Sequence, residues 1–326
     1  MDNKKPTVSV VISIYQCGGL LKRCISSIIE QTFTDWELLL VNDGSEGESF
    51  MIAKEYAQRD SRIRLVENQH DGAGLAKNIG IREAAGKYLL FVDPDDFLDA
   101  DLFDKLLSFT DDEHCIYEFG YIKEVFGFPP KKIAEKKKCA YPAEVKISDL
   151  LTYDGKEQGY CWNKLIDISK LNGKMPRFVE EYEFYGDFYW TFCLYRSTDY
   201  VVSLPVFGYH FNYRDDNTTN SVLRKCNRFK ECDEVFGRIR KEVSDDYSEL
   251  DTTAMVKHFH IFLDDFYRSI LNNEREAISY MKEHYYTLKD EVLASKKVSP
   301  AKKAAIHSEI STKNAKAFVK GNRVFL

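Results

Sequence analysis

The sequence predicts an α/β fold, a mainly parallel sheet with helices on both faces, followed by a helical C-terminal region. Two observations carry this. Through roughly the first 100 of 326 residues, short apolar runs alternate with stretches of helical periodicity, joined by short connections. That alternation gives parallel strands returned by crossover helices. From about Val222 onward glycine becomes rare and apolar residues recur at helical spacing instead.

The elements follow in order. Thr7–Tyr15 is a β-branched run and reads as a buried strand. Leu20, Leu21, Cys24, Ile25, Ile28 and Ile29 make the apolar stripe of a helix over Leu20–Gln31. Trp36–Val41 is a second strand, ending in Asn42, Asp43, Gly44 and Ser45. Ser49–Arg59 is a second helix, Ile63–Glu67 a third strand, Gly72–Ala85 a third helix and Tyr88–Val92 a fourth strand. Beyond these, the pattern predicts a helix over Asp99–Phe109, a strand over Ile116–Val125 and a turn at Phe126–Pro130. The charged run Lys131–Lys138 reads as a solvated loop. A short helix is expected from Ser148, with that serine as N-cap. A buried segment begins at Tyr160, Phe184–Tyr195 reads as helical, and Tyr200–Ser203 and Val206–Tyr213 read as two strands.

Composition excludes several classes. A net charge of −6 gives no argument for a nucleic-acid partner. No apolar run approaches the ~20 residues of a membrane span, and the N-terminus lacks the apolar core of a signal peptide. The eight cysteines show no C-x-x-C spacing, so reduced, largely buried thiols in a cytoplasmic protein are expected, and zinc is not. There is no G-x-G-x-x-G after the first strand, no G-x-x-x-x-G-K-[ST] loop and no G-x-S-x-G elbow. Dinucleotide oxidoreductases, P-loop enzymes and α/β-hydrolases are thereby set aside.

The chemistry concentrates at the end of the fourth strand, where Asp93, Asp95 and Asp96 crowd around Pro94. Carboxylates delivered by a buried strand are costly unless a cation meets them. In open α/β sheets, ligands bind outside the carboxyl ends of the strands. A divalent metal holding a diphosphate answers both demands; an acidic turn capping the next helix is the plainer alternative.

Several segments together resemble family 2 glycosyltransferases with the GT-A fold. They are Val8–Tyr15, Gln31–Leu38, Val41–Ser45, Gly72–Gly80 and Phe91–Asp96, in order and covering about the first 110 residues. A looser second group comprises Trp162–Leu165, Gly186–Phe188 and Tyr209–Thr219. The resemblance implies a nucleotide-binding half over 1–110 and an acceptor-binding half over 111–221; the helical periodicity adds a helical region with a basic tail over 222–326, which lies outside the resemblance. It implies a nucleotide-diphosphate sugar donor, a UDP-sugar first, a Mn2+ or Mg2+ ion, and transfer with inversion to a hydroxyl of a glycan or lipid-linked acceptor of a bacterial surface polysaccharide. Either a hexose or an N-acetylhexosamine is the sugar moved.

Carried over residue by residue, the Ser13 backbone and Tyr15 flank the base, and Asp43 accepts from the pyrimidine N–H. Lys77 stands where the family carries arginine and keeps the charge without the bidentate fork; Asn78 follows it. Asp93 meets the ribose or a metal-bound water, Asp95 ligates the metal, and Asp96 either orients the sugar or caps a helix. Inverting transfer also needs a general base across the sugar from the metal. Asp187 takes that place, with Glu183 as runner-up, since Gly186 replaces the usual preceding glutamate. Lys164 and Arg214 are candidates for the diphosphate or an anionic acceptor, with surface cations as the plainer reading, and His210 is read as a core histidine before a metal ligand. The basic stretch Lys296–Leu326, eight Lys/Arg against Glu309 alone, is read either as a dock for anionic lipid at the inner membrane face or as a solvated helical surface. Departures at Gln16, Asn42, Lys77 and Gly186 keep open a non-catalytic glycan- or partner-binding protein of this fold. A sugar nucleotidyltransferase is the other alternative.

Overall fold

The structure is a computed structural model and describes residues 5–69, 72–152, 159–171, 173–213, 227–246, 248–272 and 275–319. The chain divides into two compact units: Met1–Ile147 with Gly159–Arg214, and Ser148–Gln158 with Asp215–Leu326.

The first unit is built on one mixed sheet. Its opening strands are β1 (Val8–Ile14), β2 (Trp36–Asp43), β3 (Ile63–Asn68) and β4 (Tyr88–Phe91). They alternate with α1 (Leu20–Ile29), α2 (Glu48–Arg59) and α3 (Ala73–Glu83). The strands pair in parallel, β3 on β2, β2 on β1 and β1 on β4. Every residue of β2 is buried, which is why it reads as a continuous apolar run and not as an alternating one.

The second half of the sheet contains β5 (Phe97–Leu98), β6 (Ile116–Val125), β7 (Lys131–Ile133), β8 (Cys139–Pro142), β9 (Lys164–Asp167) and β10 (Tyr200–Tyr213). The sheet order is β3-β2-β1-β4-β9-β6-β10-β5, with β7 paired to β6 and β8 to β10. β9 runs antiparallel between β4 and β6, and so joins the two halves. Helices α4 (Leu102–Leu107), α5 (Ala143–Leu151) and α6 (Gly186–Arg196) complete this part.

Some expectations need correction. Part of the charged run at Lys131 is a strand, because it pairs with β6 across the turn. The two strands expected between Tyr200 and Tyr213 are one, which survives Pro205 through a register shift between Leu204 and Tyr209. Ser148 lies inside α5 and not at its cap; the helix begins directly after Pro142. The Asp99–Phe109 helix is shorter than expected, since residues 97–98 are drawn into the sheet against β10.

The second unit holds four further helices among the described residues: α7 (Asn227–Asp246), α8 (Ser248–Asn272), α9 (Arg275–Ala294) and α10 (Pro300–Val319). Phe229, Phe259, Phe262, Phe266, Met281, Tyr285, Ile306 and Ile310 form its core. Within this unit the buried Lys257 ammonium donates to the carbonyls of Leu150 and Thr152, filling acceptors left at the end of α5. No helix among the described residues is long and apolar enough to cross a membrane. The seven described cysteines are free, and four of them are buried.

Helix α3 presses on the sheet through Gly80. A helix-interior glycine normally gains stability, about 1 kcal/mol, on replacement by alanine. Here a Cβ would lie 2.3 Å from Cγ1 of Val11, itself buried in β1. Gly80→Ala is therefore expected to cost roughly 1–3 kcal/mol, read from the urea midpoint. An unchanged or raised midpoint would show that β1 yields at this contact.

Candidate active site

The parallel strands of the first unit end at one edge of the sheet, and antiparallel β9 starts there. This edge gathers Ser13–Tyr15, Asn42–Ser45, Gly72 at the entry to α3, Asp93–Asp96, Tyr160–Lys164 and the end of β10.

Ser45 fastens the first two strand ends. Its hydroxyl donates to the Ile14 carbonyl (3.2 Å) and accepts the Gln16 N–H (2.9 Å). The Asn42 side chain holds the Ser45 backbone at both N–H and C=O. Gln16 is thereby kept at φ +45°, a value uncommon outside glycine. Ser13 is half-buried in β1, while Tyr15 is 47% exposed with its ring at the surface of the edge. Asp43 is buried, and its two oxygens accept from Asn68 Nδ2 (3.2 Å) and the Gly72 N–H (3.1 Å). It thus anchors the turn into α3, where Gly72 adopts φ +101°.

On α3, neighbouring residues do different work. Asn78 donates to the Phe178 carbonyl (2.9 Å) and to Glu180 Oε1 (3.3 Å) and accepts the Phe178 N–H (2.8 Å). Its amide is used at both ends to hold the segment before α6. Lys77 is buried, and its ammonium meets Asp187 Oδ1 at 2.6 Å. Burial works against this charge, but the carboxylates around it, Asp187 first, more than compensate and raise its pKa.

Asp187 stands in the first turn of α6. Its second oxygen accepts the Cys161 thiol at 3.1 Å, so lysine and cysteine together fix the carboxylate plane. The buried thiol is held protonated, by desolvation first and then by the charge of Asp187. Glu183 is exposed in the preceding segment.

The acid turn divides into three roles. Asp93 is half-buried, and burial pushes its carboxyl up to about 7; Lys77 opposes this shift, while Asp187 and Asp95 add to it. Asp95 is half-buried, and its backbone carbonyl accepts from Arg23 and from Asn212 (both 3.3 Å). Asp96 is buried with both oxygens engaged, one by the Tyr209 hydroxyl (2.6 Å) and one by the Asn212 N–H (2.8 Å). Its expected helix-capping role gives way to a tie between the acid turn and β10. That tie also makes Asp96 a positioning group more than a direct contact. The Tyr209 oxygen in turn accepts the Asp93 N–H at 3.0 Å.

Lys164 is fully buried, donating to Tyr160 O and Asn163 Oδ1, so it braces its own loop. His210 is half-buried, clasped between Glu124 (2.8 Å) and Asp99 (2.9 Å) and stacked on Phe97. Arg214 lies outside the described residues. Sequence reasoning missed Tyr209, Asn212 and Cys161. Each acts through a partner 26 to 117 residues away, which no local periodicity reveals.

Among the described residues no three side chains form a ready-made metal cage. The donor set nevertheless fits a hard divalent ion that takes one or two carboxylates and completes its shell with phosphate and water. Asp93 and Asp95 share one turn, and the Asp93 carboxyl is held up by burial first, with the charges of Asp187 and Asp95 adding to it.

The sheet, its order and this edge define the GT-A class of glycosyltransferase fold. Residues 9–163 match the family model described as Glycosyl transferase family 2. Among curated relatives, a putative glycosyltransferase, EpsH of Bacillus subtilis (strain 168), is 30% identical over 215 residues, 64% of this chain and 61% of its own length. A putative teichuronic acid biosynthesis glycosyltransferase of the same strain, TuaG, is 32% identical over 123 residues, 37% of this chain and 49% of its own length. The chain thus spans less than two thirds of these relatives. Among solved structures, S. aureus TarS 1-349 in complex with UDP-GlcNAc superposes with a TM-score of 0.68, covering 96% of this chain and 88% of TarS 1-349 at 15% identity, a likeness of fold.

Tyr209→Phe removes a hydroxyl that serves both Asp96 and the Asp93 backbone. It is expected to destabilise the chain by about 1–3 kcal/mol, the cost of leaving buried polar groups unsatisfied. Chemical denaturation measures this, and a loss below ~0.5 kcal/mol would mean the tie contributes little.

Proposed function

We propose that this chain is an inverting, metal-dependent glycosyltransferase. It moves a hexose or N-acetylhexosamine from a UDP-sugar to a hydroxyl of a glycan or lipid-linked acceptor in the synthesis of a bacterial surface polysaccharide. One observation carries the reading: the acid turn after β4 and Asp187 at the start of α6 converge on a single buried cation, Lys77. The family of residues 9–163 and the names of the relatives support the reaction class and the polysaccharide context. That TarS carries UDP-GlcNAc supports a uridine donor.

In this reading Ser13 and the exposed Tyr15 ring receive the base, and Asp43, bonded to the Gly72 turn, is assigned to the pyrimidine N–H. Lys77 and Asn78 shape the floor between nucleotide and sugar, the first by charge and the second by holding residues 178–180. Asp95, with Asp93 directly or through water, would hold Mn2+ or Mg2+, which supplies positive charge to the departing diphosphate. Asp96 positions that turn, and Arg214 is assigned to the diphosphate.

Asp187 is assigned as the general base. A base must be held in one orientation within reach of the acceptor hydroxyl. Lys77 and Cys161 provide that constraint, one on each carboxylate oxygen. Glu183 is the alternative base, exposed and outside this network. Docking of the basic stretch Lys296–Leu326 on anionic lipid at the inner membrane face belongs to the same reading. Lys302 and Lys316 of α10 are exposed, whereas Lys313 is engaged by Asp264 and Glu309.

Two measurements test this. Asp95→Ala should abolish Mn2+-dependent UDP binding in calorimetry; unchanged affinity would contradict the ligand role. Asp187→Asn should leave UDP affinity intact and slow UDP release from the productive UDP-sugar by ~10² or more, with acceptor present. If Glu183→Gln slows release in its place, the base is Glu183.

A further inference from the structure

The β6–β7 hairpin carries a feature the active site does not use. At its tip Phe126 is 101% and Phe128 is 72% exposed. Two bare phenyl rings in a chain with a well-formed apolar core are costly to leave in water. They are also held in place. The Phe128 N–H donates to the Val125 carbonyl (3.0 Å), and Gly127 takes φ +81°, as the third position of a type II turn requires. Pro129 and Pro130 stiffen the return.

The flanks of this tip are basic. Residues 123–138 contain six lysines and two glutamates, a local excess of positive charge on a chain of net charge −6. Lys131, Lys132, Lys136 and Lys137 are exposed. The ladder sets Lys123 directly opposite Lys131, an arrangement that costs stability between like charges. The turn thus presents two exposed phenylalanines, with exposed Lys131 and Lys132 following them in the chain, while Lys123 lies over the Tyr213 ring and Lys138 is held by Asp111.

We propose that this hairpin is a membrane-surface contact: Phe126 and Phe128 enter the headgroup–acyl boundary of an anionic phospholipid bilayer while the surrounding lysines meet lipid phosphates. Aromatic insertion and juxtaposed lysines are the two additive components of interfacial binding. A glycan platform is less well matched, because phenylalanine offers no polar handle and the neighbouring prolines donate no hydrogen bond. The hairpin base is part of the candidate active-site edge, where Glu124 and Val125 pair with Asn212 and Tyr213. Asn212 itself holds Asp95 and Asp96. Resting on the proposed transferase reading, the contact would bring a lipid-linked acceptor to the side of the edge formed by β6 and β10. It is distinct from the basic C-terminal stretch.

Co-sedimentation of the full chain with vesicles of phosphatidylcholine containing phosphatidylglycerol, without donor or metal, tests the contact independently of catalysis. The wild type should bind these vesicles, bind pure phosphatidylcholine more weakly, and lose affinity as salt rises. Phe126→Ser with Phe128→Ser should weaken partition by ~10-fold or more, while an unchanged circular dichroism spectrum and melting temperature show that these exposed positions leave the fold intact. Lys131→Glu with Lys132→Glu should weaken it chiefly at low salt. The proposal is overturned if the wild type does not partition, or if the double phenylalanine variant partitions like the wild type. It is equally overturned if that variant changes only the KM for a soluble oligosaccharide or only self-association in sedimentation. Failure here with intact Mn2+-dependent UDP binding would leave the transferase reading standing.

Discussion

Asp96 is a carboxylic acid buried beneath the end of a buried strand, and the candidate site hangs on how it is satisfied. An unpaired charge there would cost several kcal/mol. Burial, followed by the charges of Asp93 and Asp95, drives its pKa well above the usual carboxylate range. Tyr209 and Asn212 answer with a hydroxyl and a backbone N–H, both from β10. The same two residues hold the Asp93 N–H and the Asp95 carbonyl. The turn that presents the acids is therefore fixed by a strand more than 100 residues later in the sequence. Trp162 stacks on Tyr209 (4.4 Å), so the loop before β9 is bound into the same support.

A second fixed point is Lys77. A lone buried ammonium is unfavourable, and this one is retained because Asp187 meets it directly and the charge of Asp93 adds to the compensation. It connects α3 directly to the start of α6 and adds its charge to the surroundings of Asp93 in the acid turn. The lysine makes a point contact where a guanidinium would make a planar fork. The remaining oxygen of Asp187 is left to the Cys161 thiol.

How much of this was legible follows from the range of the interactions. Strands β1 to β4 and their helices were readable because each is a local run of buried residues, and the acid turn because Pro94 and three aspartates are contiguous. Lys77, Asp187 and Asp95 were singled out through motif resemblance, and the Lys77–Asp187 contact was not foreseen. Asn78 was assigned to the donor by resemblance, yet its amide is consumed by Phe178 and Glu180, partners about 100 residues on. Lys164 read as a surface cation or a phosphate ligand because sequence carries no sign that its ammonium would be buried under Tyr160. β7 escaped notice because three charged or half-exposed residues on an edge form a strand only when a partner offers a ladder.

The ladder between β6 and β10 gives this edge its mechanical continuity. β10 delivers Tyr209 and Asn212 to the acid turn, and the adjacent strand β6 continues past it into the turn that carries Phe126 and Phe128. Parallel pairing from Tyr209–Tyr121 through Tyr213–Val125 leaves no hinge between them. A surface contact made at the hairpin is consequently transmitted as a fixed orientation of the acids, and not as a loose tether. For an acceptor confined to a plane, orientation replaces part of the search that a dissolved acceptor would make in three dimensions. On this argument the costly features of the hairpin, exposed phenyl rings and lysines facing lysines, offset their penalty in the placement of the reaction and not in the stability of the fold.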